Sequence, residues 1–297
     1  MKIFLIGLRR SGTTAFFELF RQDRRLVCFD EPFNPMIRDI PDRDEWGTKR
    51  EFIDVYDKAP VVFWAKYAEL DGLDELRPGL DARHQAWLSY LIAAAPDTFM
   101  DFTRVHFKLA GLHAMAPDAV LVHVHRSPAA FAASHLLPSI WTQGRAFKYW
   151  RQKNRLWRTM KKYNHWGLET VIGRSPRSLC GEMMRAAGID ADAVYGANAA
   201  TRLAAFWLLA LRRAQVDGQA LFGGNYLQIP FEAFTRAPDA YIAEIYKRAG
   251  LPAGEIDVSG IRPASGNPFP GHAGWKEVAE IIGIDPERET FEGDLVL

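Results

Sequence analysis

Gly7-Leu8-Arg9-Arg10-Ser11-Gly12-Thr13-Thr14 is the stretch whose reading decides the fold. Before it stands Lys2-Ile3-Phe4-Leu5-Ile6, a short apolar run closed by a glycine, which reads as a buried strand. After it, Ala15, Phe16, Leu19 and Phe20 fall at helical spacing, which predicts a helix over 11–21. Strand, glycine-containing loop and helix in succession put a helix N-terminus just beyond a strand end. Unpaired N–H groups and a partial positive charge there cradle a phosphate or sulfate. Gly12 lets the backbone approach such an anion. Ser11, Thr13 and Thr14 add hydroxyl donors, and Arg9 and Arg10 add charge.

Outward from this unit, Leu26 to Phe29 reads as a second short strand, and residues 34–60, with several prolines and many charges, as an irregular insertion. A helix is predicted over 82–95, stopped before Pro96, and a strand over 105–109. Ala119 to Val124 is a strong apolar run that predicts a buried strand, and Pro128 after it suits the first turn of a helix. A mostly buried helix over 199–215, a strand over 226–229, a helix over 240–249 ended by Gly250, and a Pro/Gly-rich loop over 259–275 complete the reading. That loop carries Arg262, Ser265, Asn267 and Gly274-Trp275-Lys276, and reads as surface. Buried strands alternating with helices predict an α/β fold of three layers: a central parallel sheet with helices on both faces. In such sheets ligands bind at the carboxyl ends of the strands.

The opening loop is close to the phosphate-binding form G-x-x-x-x-G-K-[ST], but Thr13 stands where the lysine belongs, which argues against an ordinary ATPase or kinase. A second anion site is expected at His125-Arg126-Ser127-Pro128, where Arg126 leaves a strand end and Ser134 follows eight residues later in a helix. An arginine fork suits a phosphate, and a serine hydroxyl supplies a second donor.

Arg9-Arg10-Ser11-Gly12-Thr13-Thr14 followed by Ala-Phe-Phe-Glu-Leu-Phe resembles the 5'-phosphosulfate loop of the PAPS-dependent sulfotransferases. Arg126 and Ser134 resemble that family's 3'-phosphate motif, and Tyr226 to Pro238 with Ile242 to Pro252 resembles its late strand and helix, departing by Pro230-Phe231. The resemblance covers roughly residues 1–35, 100–140 and 200–255. It implies a P-loop NTPase-like sulfotransferase fold, here one domain over 1–297 with insertions at about 34–100 and 138–198. It also implies a sulfuryl transfer from PAPS (3'-phosphoadenosine 5'-phosphosulfate) to an acceptor hydroxyl, with release of PAP. Arg9, Arg10, Ser11, Gly12, Thr13, Thr14, Arg126 and Ser134 are then the donor-binding residues, and no metal is required.

Such a transfer needs a base for the hydroxyl proton. Glu31, in Phe29-Asp30-Glu31-Pro32-Phe33, resembles the Glu-Pro motif of carbohydrate 6-O-sulfotransferases, which names Glu31 as base and a carbohydrate hydroxyl as acceptor; Asp30 is the adjacent competitor. Lys108 is a further candidate, for contact with the sulfuryl group or the acceptor. Small-molecule sulfotransferases carry a histidine base two residues after a strand lysine. Ala110 stands at that position if Lys108 is the lysine, although His106 and His113 are near.

Composition bounds the rest. Of 297 residues 48% are hydrophobic and 25% charged, and the net charge is +1. The charge is uneven: Ala119 to Leu168 holds nine Lys or Arg, four Trp and no Asp or Glu. That segment reads as a tryptophan stripe with a solvated basic face, or as an acceptor platform; no nucleic-acid module accompanies it. Two cysteines exclude a disulfide framework and a four-cysteine zinc site. The eight histidines lack metal-ligand spacing, and His123-Val124-His125 is read as alternating across one strand, a poor ligand pair. With no signal core and no run of ~18 apolar residues, a cytoplasmic protein is expected. The rival readings are an ATP-dependent phosphotransferase on the same loop and a non-catalytic PAP-binding module.

Overall fold

A computed structural model describes residues 1–40, 49–70, 74–136, 177–264 and 266–297. Two compact units emerge from its contacts. The first comprises Met1–His125, Ala214–Pro263 and Gly293–Leu297; the second comprises Arg126–Arg213 and Ala264–Glu292.

The first unit is built on five parallel strands: β1 (Lys2–Ile6), β2 (Val27–Asp30), β3 (Thr98–Phe102), β4 (Val120–His125) and β5 (Tyr226–Pro230). Their order is β2-β3-β1-β4-β5, so the chain builds outward on one side of β1 and then on the other. Alternation sorts the side chains onto two faces. Ile3, Leu5, Cys28, Phe99, Val122, Leu227 and Ile229 join one core, under α1 (Thr13–Phe20) and the helix Pro238–Arg248. Phe4, Ile6, Phe29, Met100, Phe102 and Leu121 join the other, under α2 (Arg50–Lys58), α3 (Pro60–Lys66), α4 (Ala82–Ile92) and α5 (Leu109–Met115). This is the three-layer arrangement expected.

Helix α1 is held to its face by aromatic packing: Phe20 stacks on Phe99 and Tyr246 at 4.6 and 5.4 Å, and Phe16 stacks on Phe234 at 3.8 Å. Just past it, Asp23 accepts from Arg25 and from the Tyr246 hydroxyl at 2.7 Å, and the Arg25 hydrogen bond holds its carboxyl down at about 2.

Three expectations are corrected. The strand beside β1 is Thr98–Phe102, not 105–109; Val105 to Lys108 form the turn that enters α5. The described residues of 34–60 are largely helical: a short 3₁₀ turn at Pro35–Asp39 and α2, which buries Phe52 and Val55. Gly274-Trp275-Lys276 is not loop but the first turn of a helix, Ala273–Ile282, begun by His272, whose ring accepts from the Gly274 N–H.

The second unit contains α6 (Pro128–Leu136), with Pro128 at its first position, helices Arg177–Ala186 and Ala191–Gly196, and residues 199–213 of a helix that continues to Phe222. Trp207 packs edge-on against Phe291, and Trp275 is buried with its indole N–H on the Pro286 carbonyl. Both cysteines are buried free thiols. Among the described residues no helix is long and apolar enough to cross a membrane. Ser265 and the tryptophan-rich basic segment from Trp141 to Trp166 lie outside the described residues.

Candidate active site

The loop after β1 is shaped by two glycines with different duties. A Cβ on Gly7 would meet the Val124 carbonyl at 2.8 Å and the Thr13 methyl at 2.5 Å, so only glycine lets the loop cross β4 this closely. Gly12 adopts φ +97°, and a Cβ there would enter the ring of Phe231, the residue that follows β5. Arg10 also has a left-handed φ of +73°. The Ser11 N–H donates to the Leu8 carbonyl at 2.9 Å, closing the turn. Helix α1 then begins without a side-chain cap and without an acid in its first turn. Its first N–H groups are left for an anion. The Ser11 hydroxyl is buried and has no partner among the described residues. Arg10 and Thr14 are exposed, Thr13 is buried, and Arg9 makes a two-point ion pair with Glu75 at 2.7 and 3.1 Å.

At the same carboxyl end of the sheet β2 ends in Asp30, and Glu31 follows it. Among non-glycine described residues only Arg10 and Glu31 have positive φ, Glu31 at +49°. Such conformations cost about 1–3 kcal/mol each and cluster where function requires them. The turn is pinned from both sides: the Glu31 N–H donates to the Asp101 carbonyl, and the Asn34 N–H to the Glu31 carbonyl, each at 2.9 Å. The Asn34 side-chain amide donates to Glu31 Oε2, while its Oδ1 accepts the Met36 N–H. Asn34 therefore sets the carboxylate's orientation. Asp30 has a different fate: buried Lys49 binds its Oδ2 at 2.7 Å and its carbonyl. That pairing ties Asp30 to a cation, whereas Glu31, equally half-buried, is held by the neutral Asn34 amide.

Asp101, on β3, is the register partner of Asp30 and is fully buried. Burial first, then the carboxylates of Asp30 and Glu31, push it well above the usual carboxylate range. Thr13 lies close enough to pull the other way, as does Lys49, although neither Asp101 oxygen meets full hydrogen-bond geometry with a described residue.

Beyond β3, Thr103 and Arg104 were not anticipated from sequence, because the strand they follow was placed seven residues too late. Arg104 shares Glu75 with Arg9, at the longer distance of 3.4 Å. Burial and the neighbouring Arg9 pull its guanidinium below the ordinary range, against Glu75 and Glu31. Asn34 carried a readable signal: an Asx residue three positions after a Glu-Pro turn.

Lys108 does not end a strand. It precedes α5, is buried, and its ammonium donates to the Arg77 carbonyl at 2.6 Å and the Gly79 carbonyl at 3.2 Å. Burial pushes it down to about 8. These bonds give it a structural task, holding the 77–79 turn. His123 and His125 share one face of β4, their rings 6.1 Å apart, because residues two apart on a strand point the same way. They belong to a buried polar row: His125 to Asp294 at 2.7 Å, Gln228 also to Asp294, Tyr226 to Gln228 at 3.0 Å, and His123 to Tyr226 at 2.9 Å. Among the described residues no group of three or more His, Cys, Asp or Glu is arranged to hold a metal ion.

Arg126 and Ser134 belong to the second unit. Arg126 is half-buried, and the Ser134 hydroxyl donates to the Phe131 carbonyl at 2.9 Å on its own helix, which leaves its oxygen lone pairs for another donor. Asn267 is engaged within that unit, with the Pro286 carbonyl, Glu287 and the Phe269 N–H.

Comparison with known proteins adds an independent line. No curated protein matches the chain. Similar solved structures include the sulfotransferase STF9 from Mycobacterium avium, 14% identical with a TM-score of 0.37, the match covering 84% of this chain and 64% of that one. Another is the sulfotransferase STF1 from Mycobacterium tuberculosis H37Rv, 14% identical with a TM-score of 0.38, covering 86% and 68%. The chain thus spans less than two thirds of the length of the first. A family model described as "Sulfotransferase family" matches residues 2–169. With more than half of its residues inside that match, the chain belongs to the sulfotransferase family.

Proposed function

We propose that the chain transfers a sulfuryl group from PAPS to an acceptor hydroxyl and releases PAP. The observation that carries this reading is the loop after β1: it lacks the lysine of a nucleotide-triphosphate site, yet keeps an uncapped helix start and a buried Ser11 hydroxyl with no partner among the described residues. These groups and Arg10 receive the 5'-phosphosulfate. Arg126 and Ser134 hold the 3'-phosphate, the group that separates PAPS from ATP.

Glu31 accepts the acceptor's hydroxyl proton as the acceptor oxygen bonds to sulfur and the bond from sulfur to the 5'-phosphate oxygen breaks. Asn34 and the strained turn hold Glu31 in place for this. Arg10 and the N–H groups of α1 stabilise the negative charge that grows on the departing 5'-phosphate. The Glu31-Pro32 pair favours a carbohydrate hydroxyl as the acceptor.

Calorimetric titration with PAP, ATP and AMP tests the reading. Micromolar or tighter PAP binding, with ATP and AMP much weaker, is the expected result, and Arg126→Ala removes the preference. Equal binding of the three nucleotides would overturn the 3'-phosphate assignment and favour a phosphotransferase.

A further inference from the structure

Glu75 is a buried carboxylate on a 3₁₀ turn, Asp74–Leu76, far along the chain from both the loop after β1 and the candidate base. Its two oxygens take the two terminal nitrogens of Arg9 at 2.7 and 3.1 Å, the fork-to-fork geometry of a strong ion pair. Arg104 reaches one of the same oxygens at 3.4 Å. Side-chain exposure is 11% for Arg9 and 3% for Glu75, so the pair lies largely out of solvent, where salt screens it little. The turn that carries Glu75 is itself fixed. Leu76 is wholly buried, the Arg77 N–H donates to the Asp74 carbonyl at 3.1 Å, and the Gly79 N–H to the Phe107 carbonyl at 3.2 Å. The Lys108 ammonium donates to the Arg77 and Gly79 carbonyls. Residues 74–79 thus form a strut between the start of α5 and the loop after β1.

The loop has use for such a support. Arg10 is held at φ +73°, a conformation that persists in an L-residue only where the surrounding structure imposes it. On its C-terminal side the Ser11 N–H bonds to the Leu8 carbonyl and Gly12 lies against the Phe231 ring. On its N-terminal side the Arg9 side chain is the tether, and Glu75 is the group to which it is tied. A guanidinium whose terminal nitrogens both meet a carboxylate is a poor ligand for a second anion. Of the two loop arginines, Arg10, which is exposed, is therefore the one left for the donor.

We propose that Glu75 is a positioning residue for donor binding: it holds Arg9 as an anchor, and through Arg9 it fixes the backbone of Arg10 and the N–H groups of the loop for the donor's 5' end. The proposal rests on the loop being the 5'-phosphosulfate site. It deepens that reading by dividing the two arginines, Arg9 as anchor and Arg10 as ligand.

Calorimetry with PAP and with adenosine 3'-monophosphate, which has no 5'-phosphate, tests it on wild type, Glu75→Gln, Arg9→Met and the double variant. Each single variant should weaken PAP binding by about fivefold or more, the lower end of coupling between linked groups. Binding of adenosine 3'-monophosphate should stay within about twofold of wild type, because that ligand leaves the loop empty. A general loss of structure would weaken both ligands alike, so the split between them isolates the loop. The double variant should bind PAP no more weakly than the worse single variant, since both changes cut one link. It also carries the test if a single variant, left with an unpaired buried charge, does not fold. PAP affinity that is unchanged in Glu75→Gln, or raised because the freed Arg9 reaches the anion, overturns the proposal, and so does an equal loss for both ligands. A wild type that binds PAP no better than adenosine 3'-monophosphate sinks the 5'-site reading and the proposal with it, a result distinct from variants that match a discriminating wild type.

Discussion

Gly12→Ala offers the sharpest test of how the loop is built. Gly12 sits at φ +97°, and a Cβ added there would lie 2.3, 2.4 and 2.8 Å from three carbons of the Phe231 ring. Alanine meets two separate costs. The left-handed backbone costs an L-residue about 1–2 kcal/mol. Forcing a methyl group into an occupied space costs typically about 1–3 kcal/mol more. The sum, about 2–5 kcal/mol, is a large part of the ~5–15 kcal/mol that holds a domain together. Phe231→Ala removes the second cost and leaves the first. A double-mutant cycle in urea should therefore show coupling of about 1–3 kcal/mol, with the double variant more stable than the single effects predict. PAP affinity should fall in Gly12→Ala, because relief of the clash moves the loop. Stability of Gly12→Ala within about 0.5 kcal/mol of wild type, or an additive cycle, would refute the packing of Phe231 behind the loop.

Two further outcomes follow from the site. Glu31→Gln should lower kcat by about 10²–10⁴-fold and leave PAP binding intact, the range for loss of a general base; Asp30→Asn should instead unpair buried Lys49 and lower the melting temperature, and an equal loss of turnover in both variants would count against Glu31 as base. His106 is buried and held neutral, its pKa pushed down to about 3 by burial and by Arg9. The unfolded chain gains a proton near pH 6.5 that the folded chain refuses, so this contribution to stability is whole above that pH and is lost as pH falls toward 3. His106→Leu should flatten the acid limb of a stability profile by up to about 1.4 kcal/mol per pH unit within that window, leaving the part owed to His123, which burial also holds well below its ordinary value. An unchanged acid limb would show that His106 is not buried neutral.

The misplaced strand shows where sequence reading reached its limit. Val105-His-Phe-Lys-Leu109 and Thr98-Phe-Met-Asp-Phe102 each hold three apolar residues in five, yet only the second forms β3. It lies between β1 and β2, where a carboxylate in mid-run would be expensive to bury ionised. Burial first, and then the carboxylates of Asp30 and Glu31, push Asp101 toward its neutral form, which lessens that cost. No local pattern reveals that, since the carboxylates that push Asp101 up lie at and just beyond the end of another strand. The same error hid Arg104, which follows directly after β3, and gave Lys108 a strand-end position it does not have. In 34–60 the prolines and charges masked α2, whose Phe52 and Val55 are buried only because the sheet face is there to receive them.

What the sequence determined by itself was contiguous. Lys2 to Phe20 specifies strand, loop and helix through apolar periodicity and two glycines, and β2, β4 and β5 fall within a residue or two of their apolar runs. Buried parallel strands are short, uninterrupted and bounded by turn residues, so they announce themselves locally. Tertiary structure alone decided which polar groups are occupied and which are open. Asp30 and Glu31 are neighbours of equal chemistry until Lys49 claims one of them. Arg9 and Arg104 look alike until Glu75 binds the first at two points and the second loosely. Charge pairing acts through space at a few ångströms, between residues that lie far apart along the chain, and no reading of spacing along the chain contains that distance.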